Sequence, residues 1–494
     1  MSRRRVDFGT GMSQNLSRGS DTLATRFDGD PMNLLFFLIL SVYLFFLGYR
    51  LIEENFIKFF YYLFFIAYVW PFSCNYFGIF PAILKLLYVP IIYGAFLKIL
   101  LLRTETNRNK FSKPAVYAIL FFIVAFVSTT INFANPLLAI LSTGRVSIPF
   151  ILLFITGSLN ISENAWGKLI NALLLIGLIQ VPLQFFEYFY LSTSDLIASV
   201  SRADSATGTF GLGQTGSLAI YYTLLILLIF TTKKYNLFYG KNILILPLLL
   251  MVILMGFILT FSGGAVIILG IVMLIFFLSK SKKSLVLIPF LIFLLSAFST
   301  YFSELVPNGL QKPNLIEYST SALSSEIENL LYDPNFYYHY HGNGSRVFGI
   351  LGGWHLASNS NGGLLLGAGP GQMLQAKALG SFISVKTFDQ YYNIFSNNTI
   401  INTIGFLLGE YGILGIILFF MVFLSILTQN LKFKKESKVM WYIMLIILFL
   451  YSFYYNIIYD YQFLIIYITT IFYFKSKFKH VYRLDQYGEN DRSG

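Results

Sequence analysis

Cysteine and charge are both scarce in this 494-residue chain. The single cysteine, Cys74, excludes an intramolecular disulfide and a cysteine-based metal site. Charged residues make up 12% of the chain, whereas soluble domains carry about 25%. Apolar residues make up 56%, and the mean hydropathy is +0.67. This balance indicates a protein embedded in lipid rather than a soluble domain.

Several catalytic patterns are also absent from the sequence. It contains no Walker phosphate-binding loop, no Ser-His-Asp arrangement and no cysteine nucleophile. His339 and His341 have no matching ligand cluster, so we expect no metal site and no cofactor. Asp28 and Asp30 form a D-x-D pattern, but they lie in the polar leader, so we do not count them as a metal site. The leader shows no cleavable signal peptide. The net charge of +12 comes from Lys and Arg clustered between apolar runs, so we expect no nucleic-acid partner.

Long apolar runs dominate the rest of the chain and predict an all-α polytopic membrane protein. A spanning helix needs about 20 apolar residues, and the sequence offers about 12–13 such transmembrane helices. The candidate spans are residues 32–49, 56–72, 77–102, 114–132, 136–158, 167–189, 214–232, 242–261, 263–279, 284–302, 400–428, 439–457 and 461–475.

Basic segments between these spans predict their orientation. Loops rich in Lys and Arg stay on the cytoplasmic side of a membrane. Such segments are Arg103–Lys113, Lys233–Lys241, Lys280–Lys283, Lys432–Lys438 and Lys475–Arg483. Counting spans from these basic segments puts residues 191–213 and 303–399 on the extracytoplasmic side of the membrane. The same count puts the Arg-rich residues 1–31 outside, which conflicts with their charge, so either the leader is not native or the count is off by one.

The organisation predicted from these features has five parts. They are a disordered leader (1–31), an N-terminal transmembrane bundle (32–302), one large helical extracytoplasmic, periplasmic loop (303–399), C-terminal transmembrane helices (400–476) and a cytoplasmic tail (477–494). Within the loop, Thr320–Leu331, Ser345–Ala357 and Pro370–Leu379 read as helices, and Ser358–Gly371 reads as a glycine-rich turn. We see no internal repeat and no pair of broken helices of the kind found in inverted-repeat transporters.

Charged residues near the predicted outer surface are the candidates for chemistry. Arg145 lies nine residues inside its span, roughly 14 Å deep at helical rise. Such a charge normally faces a bundle interior or a wet cavity, although it can also snorkel or pair with a buried acid. Arg202 neighbours Asp204 in a Gly/Ser/Thr-rich loop, which suits either an anion site or a solvated ion pair. Glu410 lies inside a span and is either a proton acceptor or a counter-ion.

A second group of candidates lies in the predicted large loop. Arg346 begins a predicted helix that also carries Trp354 and His355. Aromatic and imidazole side chains near a cation suit sugar stacking and anion binding, but they equally suit a helix at the lipid interface. Together, these outward-facing cations around a membrane cavity favour an anionic substrate such as a phosphate-bearing lipid.

At these positions the chain resembles the O-antigen polymerase/ligase (Wzy-like) family of bacterial membrane glycosyltransferases, over residues 136 to about 428. The motifs that carry the resemblance are Arg346, Trp354 and the turn Gly363, Gly367, Gly369 and Gly371; Arg202 with Gly208, Thr209, Phe210, Gln214 and Ala219; Glu410, Gly412 and Gly415; and Thr260, Ser262 and Ala265. Gly263 stands where the family usually has Arg, and no His precedes the Glu410 span. Both departures weaken a ligase assignment more than a polymerase assignment.

The resemblance implies a metal-independent GT-C-like glycosyltransferase in the bacterial inner membrane. Its substrates would be polyprenyl-pyrophosphate-linked repeat units of an O-antigen, capsule or exopolysaccharide, used as donor and acceptor, with a chain-length regulator as a partner. Arg145, Arg202 and Arg346 would hold the pyrophosphate and Trp354 the sugar. His355, with Asp204 and Glu410 behind it, would be the catalytic base. The alternatives are a polysaccharide ligase and, in another class, a transporter or flippase of an anionic lipid-linked substrate.

Overall fold

A computed structural model of the chain describes residues 31–71, 87–102, 112–159, 161–189, 208–210, 215–232, 245–260, 262–280, 346–372, 402–428, 435–458 and 460–490. Every regular element among these residues is helical. The helices are α1 (Pro31–Glu54), α2 (Phe56–Phe64), α3 (Tyr88–Leu102), α4 (Ser112–Ile131), α5 (Pro136–Ser158), α6 (Glu163–Phe189), α7 (Thr215–Thr232), α8 (Ile245–Leu259), α9 (Gly263–Lys280), α10 (Arg346–Ser358), α11 (Gly363–Leu366), α12 (Thr403–Thr428), α13 (Lys435–Tyr454) and α14 (Tyr461–Asn490). A π-helical turn, Phe65–Val69, continues α2, and a 3₁₀ turn spans Gly208–Phe210.

Most predicted spans coincide with these helices. The span 284–302 and residues 77–86 of the span 77–102 lie outside the described residues, as do the leader up to Asp30 and the predicted helix Thr320–Leu331. The break predicted between two apolar runs is present, because α8 ends at Leu259 and α9 begins at Gly263. The segment predicted as a tail is helical as far as Asn490, because α14 continues without interruption beyond its apolar part.

Four helices of the described part are long and apolar enough to cross a membrane. These segments are Lys113–Ile131, Pro136–Ser158, Glu163–Glu187 and Thr403–Leu427. Six further apolar helices are shorter. Apolar side chains are exposed around the bundle, for example Phe126 at 73% and Ile140 at 68%. An apolar outer surface of this kind suits contact with lipid. The described part is therefore all-helical and membrane-associated, and a total of 12–13 spans stays a prediction.

The centre of the bundle is formed by α7 and the first half of α14. Nearly every residue of α7 is buried, and so are residues 462–474 of α14. A helix that is apolar all round is expected to lie inside a bundle. These two helices contact each other, and α14 also packs against α5 and α6. In contrast, only 22% of the α4 span is buried, so α4 lies at the periphery.

Polar contacts join the helix ends on one side of the bundle, which we name the polar end. It comprises the α4–α5, α8–α9 and α13–α14 junctions and the start of α12. Thr403 donates to the Tyr455 carbonyl at 2.9 Å, and the Ser262 and Tyr455 hydroxyls are 3.1 Å apart. Gln462 donates to the Ala67 carbonyl at 2.8 Å. The 3₁₀ turn joins the same end, because Gln462 also donates to its Phe210 carbonyl at 3.2 Å.

The opposite side, which we name the basic end, carries Lys and Arg side chains. Lys98 on α3 pairs with Glu53 on α1 at 2.5 Å. Lys477 on α14 donates to the Thr231 carbonyl at the end of α7, at 3.1 Å. The other Lys and Arg residues that the structure describes near this end are Arg50, Lys58, Lys113, Lys168, Lys438 and Lys475. The segregation follows the pattern in which basic residues remain on one side of a membrane.

Candidate functional site

The polar end contains an interrupted helix. Within α12, Gly412 has φ 66° and ψ −169°, so the helical hydrogen-bond ladder breaks there. A side chain at this φ is strained, and a Cβ would also meet the Leu365 carbonyl. The break frees carbonyls, and a buried carbonyl in the membrane needs a new donor. Ala368 N donates to the Gly409 carbonyl at 2.8 Å, and Gly369 N donates to the Glu410 carbonyl at 3.1 Å.

The donors come from a glycine-rich segment, Gly367–Gly371, which we name the strap. Gly367 has φ 74° and lies so close to the Glu410–Gly412 backbone that no Cβ fits. Asn132, at the end of α4, donates to the Gly367 carbonyl at 2.9 Å. The same side chain accepts a hydrogen bond from Gly362 N at 3.1 Å. The predicted glycine-rich turn is thus docked on the helix bundle, with the short helix α11 inside it.

The Glu410 side chain is fully buried beside the strap. The Ser142 hydroxyl on α5 donates to the Glu410 carboxylate at 2.5 Å. The Tyr411 hydroxyl is 3.2 Å from the Ser142 hydroxyl. Arg145 lies three residues beyond Ser142 on α5, where side chains of one helix face are about 5–6 Å apart. Glu410 therefore contacts a residue that lies one helical turn from Arg145 on α5.

Arg145 is half-buried. A second polar group lies at the start of α14, where the buried Tyr88 ring stacks on Tyr461, with ring centroids 4.1 Å apart.

Asp460 was not among the predicted site residues. Its carboxylate accepts hydrogen bonds from Ser217 Oγ at 2.5 Å, from the Tyr451 hydroxyl, and from Phe463 N at 2.9 Å. The Phe463 contact is that of an N-cap, which explains an Asp directly before α14. The sequence signal for it was an acidic residue at the start of an apolar helix. Its pairing with Ser217 on α7 left no sequence signal.

A third buried carboxylate, Glu187 on α6, was also missed. It accepts a hydrogen bond from Gly208 N at 2.5 Å. Gln180, two turns earlier on α6, accepts from Thr209 N at 2.6 Å and donates to Thr209 Oγ1 at 2.7 Å. These contacts hold the 3₁₀ turn, whose Gly208, Thr209 and Phe210 belong to the family-like motif. The signal in the sequence was a row of polar residues, Gln180, Gln184 and Glu187, at helical spacing within an apolar span.

The predicted helix Ser345–Ala357 is confirmed as α10. It meets α12 backbone to backbone, where Gly353 faces the Gly405 carbonyl. This contact lies about one and a half turns before Glu410. Trp354 is 50% exposed. His355 is half-buried, and the Asn359 side chain donates to its carbonyl at 2.9 Å and lies 3.2 Å from its Nε2.

The structure describes the surroundings of some predicted site residues and not of others. Glu410 contacts Ser142, which lies one helical turn from Arg145. Trp354 and His355 lie on α10, which packs against α12. Arg346 is the first residue of α10, but its side chain lies outside the described part. Arg202 and Asp204 lie outside the described residues altogether, as does most of the predicted helix Pro370–Leu379.

The chemistry of this arrangement is that of a cation near carboxylates held by hydroxyl groups. Among the residues that the structure describes, no three His, Cys, Asp or Glu side chains group together as metal ligands. Glu187, Glu410 and Asp460 each receive their own protein donors. Such a site is suited to binding an anion at Arg145 and to accepting a proton at a buried carboxylate. No family model matches the chain, and a search of curated proteins finds no match.

Proposed function

We propose that this protein joins polyprenyl-pyrophosphate-linked oligosaccharide repeat units into a surface polysaccharide, at the outer face of a bacterial inner membrane. The observation that carries the proposal is the buried contact of Glu410 with Ser142, one helical turn from Arg145 on α5, beside an interrupted helix in an apolar bundle. A charge kept at such depth is expensive and is usually functional. The docked helix α10, with a half-exposed Trp354 and His355 beside it, supplies groups that suit a sugar.

The reaction needs positive charge where the leaving group departs. A hydroxyl of one repeat unit attacks the anomeric carbon of the growing chain, and polyprenyl pyrophosphate leaves. Negative charge grows on the pyrophosphate, and fixed cations that stabilise it commonly supply the largest catalytic contribution. Arg145 is suitably placed for this role, with Arg202 and Arg346 as further donors from the two outer segments. The guanidinium group matches phosphate oxygens with two parallel hydrogen bonds.

The attacking hydroxyl must lose a proton, and a nearby base accelerates this step. Glu410 and His355 are the candidates with described surroundings, and Asp204 is the third. We expect Glu410→Gln to lower turnover by about a hundredfold or more if Glu410 is the base. The Gln side chain still accepts the Ser142 hydrogen bond, so folding should be preserved. Glu163→Gln, at the start of α6, is the matched control. His355→Ala tests the competing base. Gel profiles of glycan chain length measure the activity of all three variants.

Loss of the gene distinguishes the proposal from its two rivals. A strain without a polymerase should display single repeat units on the acceptor lipid, because ligation still proceeds. A strain without a ligase should accumulate long chains on the polyprenyl carrier. A strain without a flippase should trap single units on the inner leaflet. Gel profiles of the glycan, with a complemented strain as control, separate the three, and stranded long chains would reject the polymerase.

One observation favours the transporter alternative. Discontinuous membrane helices commonly form the ion and substrate sites of transporters, and α12 is discontinuous. Transporters of that type usually carry such helices in corresponding pairs. Among the described helices, the non-helical interior residue is confined to α12, so we keep the polymerase as the preferred function.

A further inference from the structure

Three helices that begin at the basic end share a lysine that is followed four residues later by a tyrosine. The pairs are Lys58 and Tyr62 on α2, Lys113 and Tyr117 on α4, and Lys438 and Tyr442 on α13. Each lysine lies in the first turn of its helix, and each helix continues as an apolar segment. The polar site described above lies at the opposite end of the bundle and does not use these pairs.

The three pairs lie on the outer surface of the bundle. Lys58, Lys113 and Lys438 are all exposed. Tyr62 is 45% exposed and Tyr442 is 52% exposed, while the Tyr117 side chain is half-buried. Residues four apart lie on the same face of a helix, with their Cβ atoms about 5–6 Å apart. An ammonium group and a phenol hydroxyl group therefore share one face at the start of each helix.

Apolar side chains continue outward-facing beyond the pairs. On α13, Phe449 and Phe453 are exposed in the turns that follow Tyr442. On α4, Leu120 and Ile123 are exposed in the same way. Exposed apolar faces on spanning helices suit contact with lipid chains, and tyrosine and lysine are typical of the level where such faces end. Each pair thus lies where lipid headgroups are expected.

Neither ion pairing nor helix stability explains the three lysines. Lys98 pairs with Glu53, but among the residues that the structure describes none of the three lysines pairs with a carboxylate. The helix macrodipole disfavours a cation in the first turn. Membrane orientation accounts for basic residues at this end, but it requires no tyrosine on the same face. The tyrosine adds a second hydrogen-bond donor beside each charge.

We propose that each of the three Lys–Tyr pairs binds the phosphate headgroup of an anionic phospholipid, in the leaflet at the basic end. The oxygens of a phosphate accept hydrogen bonds from both the ammonium group and the phenol hydroxyl group. The acyl chains of the same lipid lie on the exposed apolar face that follows the pair. A soluble phosphate makes no use of that face, and a zwitterionic lipid carries a cation of its own that opposes the lysine. The proposal does not rest on the polymerase reaction.

Photocrosslinking of the full-length protein in phosphatidylcholine vesicles tests the proposal. The probe is phosphatidylglycerol with a diazirine on its headgroup, and the comparison probe is phosphatidylcholine with the same diazirine. We expect the anionic probe to label the first turns of α2, α4 and α13 about fivefold more than the zwitterionic probe, because one lysine near an anionic surface gives a preference of about this size. Equal labelling by the two probes overturns the proposal.

Removing one lysine distinguishes separate sites from a general surface potential. In Lys58→Gln, we expect the preference for the anionic probe to disappear on α2 and to stay unchanged on α4 and α13. The two intact pairs report in the same sample that the protein is folded. A preference that persists on α2, or that falls equally on all three helices, contradicts binding at the individual pairs.

Removing one hydroxyl group tests whether the tyrosine takes part. In Tyr442→Phe, we expect labelling of α13 by the anionic probe to fall about threefold, since one hydrogen bond is lost. Labelling of α2 and α4 is the internal control and should not change. A surface potential does not depend on a phenol hydroxyl group. Unchanged labelling of α13 would therefore mean that the lysine acts alone, and it would reject the pairs as binding sites.

Discussion

The carboxylates at the two ends of the helix bundle have different surroundings. At the basic end, the Lys98–Glu53 pair is partly exposed, with its carboxylate side chain 52% accessible. At the polar end, Glu187, Glu410 and Asp460 are buried, and each receives hydrogen bonds from hydroxyl or backbone groups. Exposed pairs contribute little to stability, whereas buried charges need exact partners. The difference indicates that the polar end is built around specific side-chain contacts.

The largest effect is expected from sidedness, because labelling of a cysteine by a membrane-impermeant maleimide is nearly all or none. In a Cys74→Ser background, we expect Asn359→Cys at the polar end to be labelled in intact spheroplasts. We expect Lys168→Cys at the basic end to be labelled only after the membrane is permeabilised. The reverse pattern would invert the topology and remove the proposed outer-face reaction.

Loss of the polar-end cation should produce the next largest effect. Arg145→Ala removes charge-assisted hydrogen bonds worth roughly 1.5–3 kcal/mol, so turnover should fall about ten- to a hundredfold. Arg145→Lys should restore activity only in part, because an ammonium group lacks the planar fork. Lys98→Ala at the basic end is the control and should leave chain length unchanged. The protein level in the membrane is measured for each variant. Equal activity in Arg145→Ala and Lys98→Ala would contradict a role of Arg145 in turnover.

A buried carboxylate should matter more for folding than an isolated hydroxyl group. Asp460→Ala removes the buried carboxylate that accepts hydrogen bonds from the Tyr451 and Ser217 hydroxyls, and we expect a loss of about 2–4 kcal/mol of stability. Ser452→Ala is the control, because the Ser452 hydroxyl bonds a carbonyl of its own helix and should contribute less than ~0.5 kcal/mol. Thermal unfolding in detergent measures both. An unchanged midpoint for Asp460→Ala would show that the carboxylate is not structural.

The last prediction concerns the interruption of α12. Gly412→Ala puts a side chain at φ 66°, which costs about 1–2 kcal/mol before any clash with the Leu365 carbonyl. Gly270→Ala on α9 meets open space and should stabilise its helix by up to ~1 kcal/mol. The two substitutions should therefore shift the unfolding midpoint in opposite directions. A gain in both would mean that the helix does not need its interruption.

Much of the helical framework could be predicted from the sequence. The break between α8 and α9 follows from Ser262, Gly263 and Gly264 inside an apolar stretch, and α10 appears within a residue of its predicted bounds. Arg145 and Glu410 were found because a charge in an apolar run is conspicuous. The interruption of α12 was missed, because α12 contains four glycines and a glycine inside an apolar helix is usually tolerated without a break.

Pairings between distant segments could not be predicted. Ser142 and Glu410 are 268 residues apart in the chain, and Ser217 and Asp460 are 243 apart. Asp460 and Glu187 were overlooked because one acidic residue beside an apolar run resembles an ordinary helix cap or a solvated loop residue. Nothing local distinguishes such a residue from one that is buried.

The class of the protein and the position of most helices could be read from the sequence alone. Hydropathy is a local property, and a spanning segment must be predominantly apolar. Which polar groups meet depends on tertiary packing. In helices that are apolar on every side, the sequence does not mark the face that will contact a neighbour. The strap and the Ser142–Glu410 contact both arise from that choice of faces, after the helices have packed.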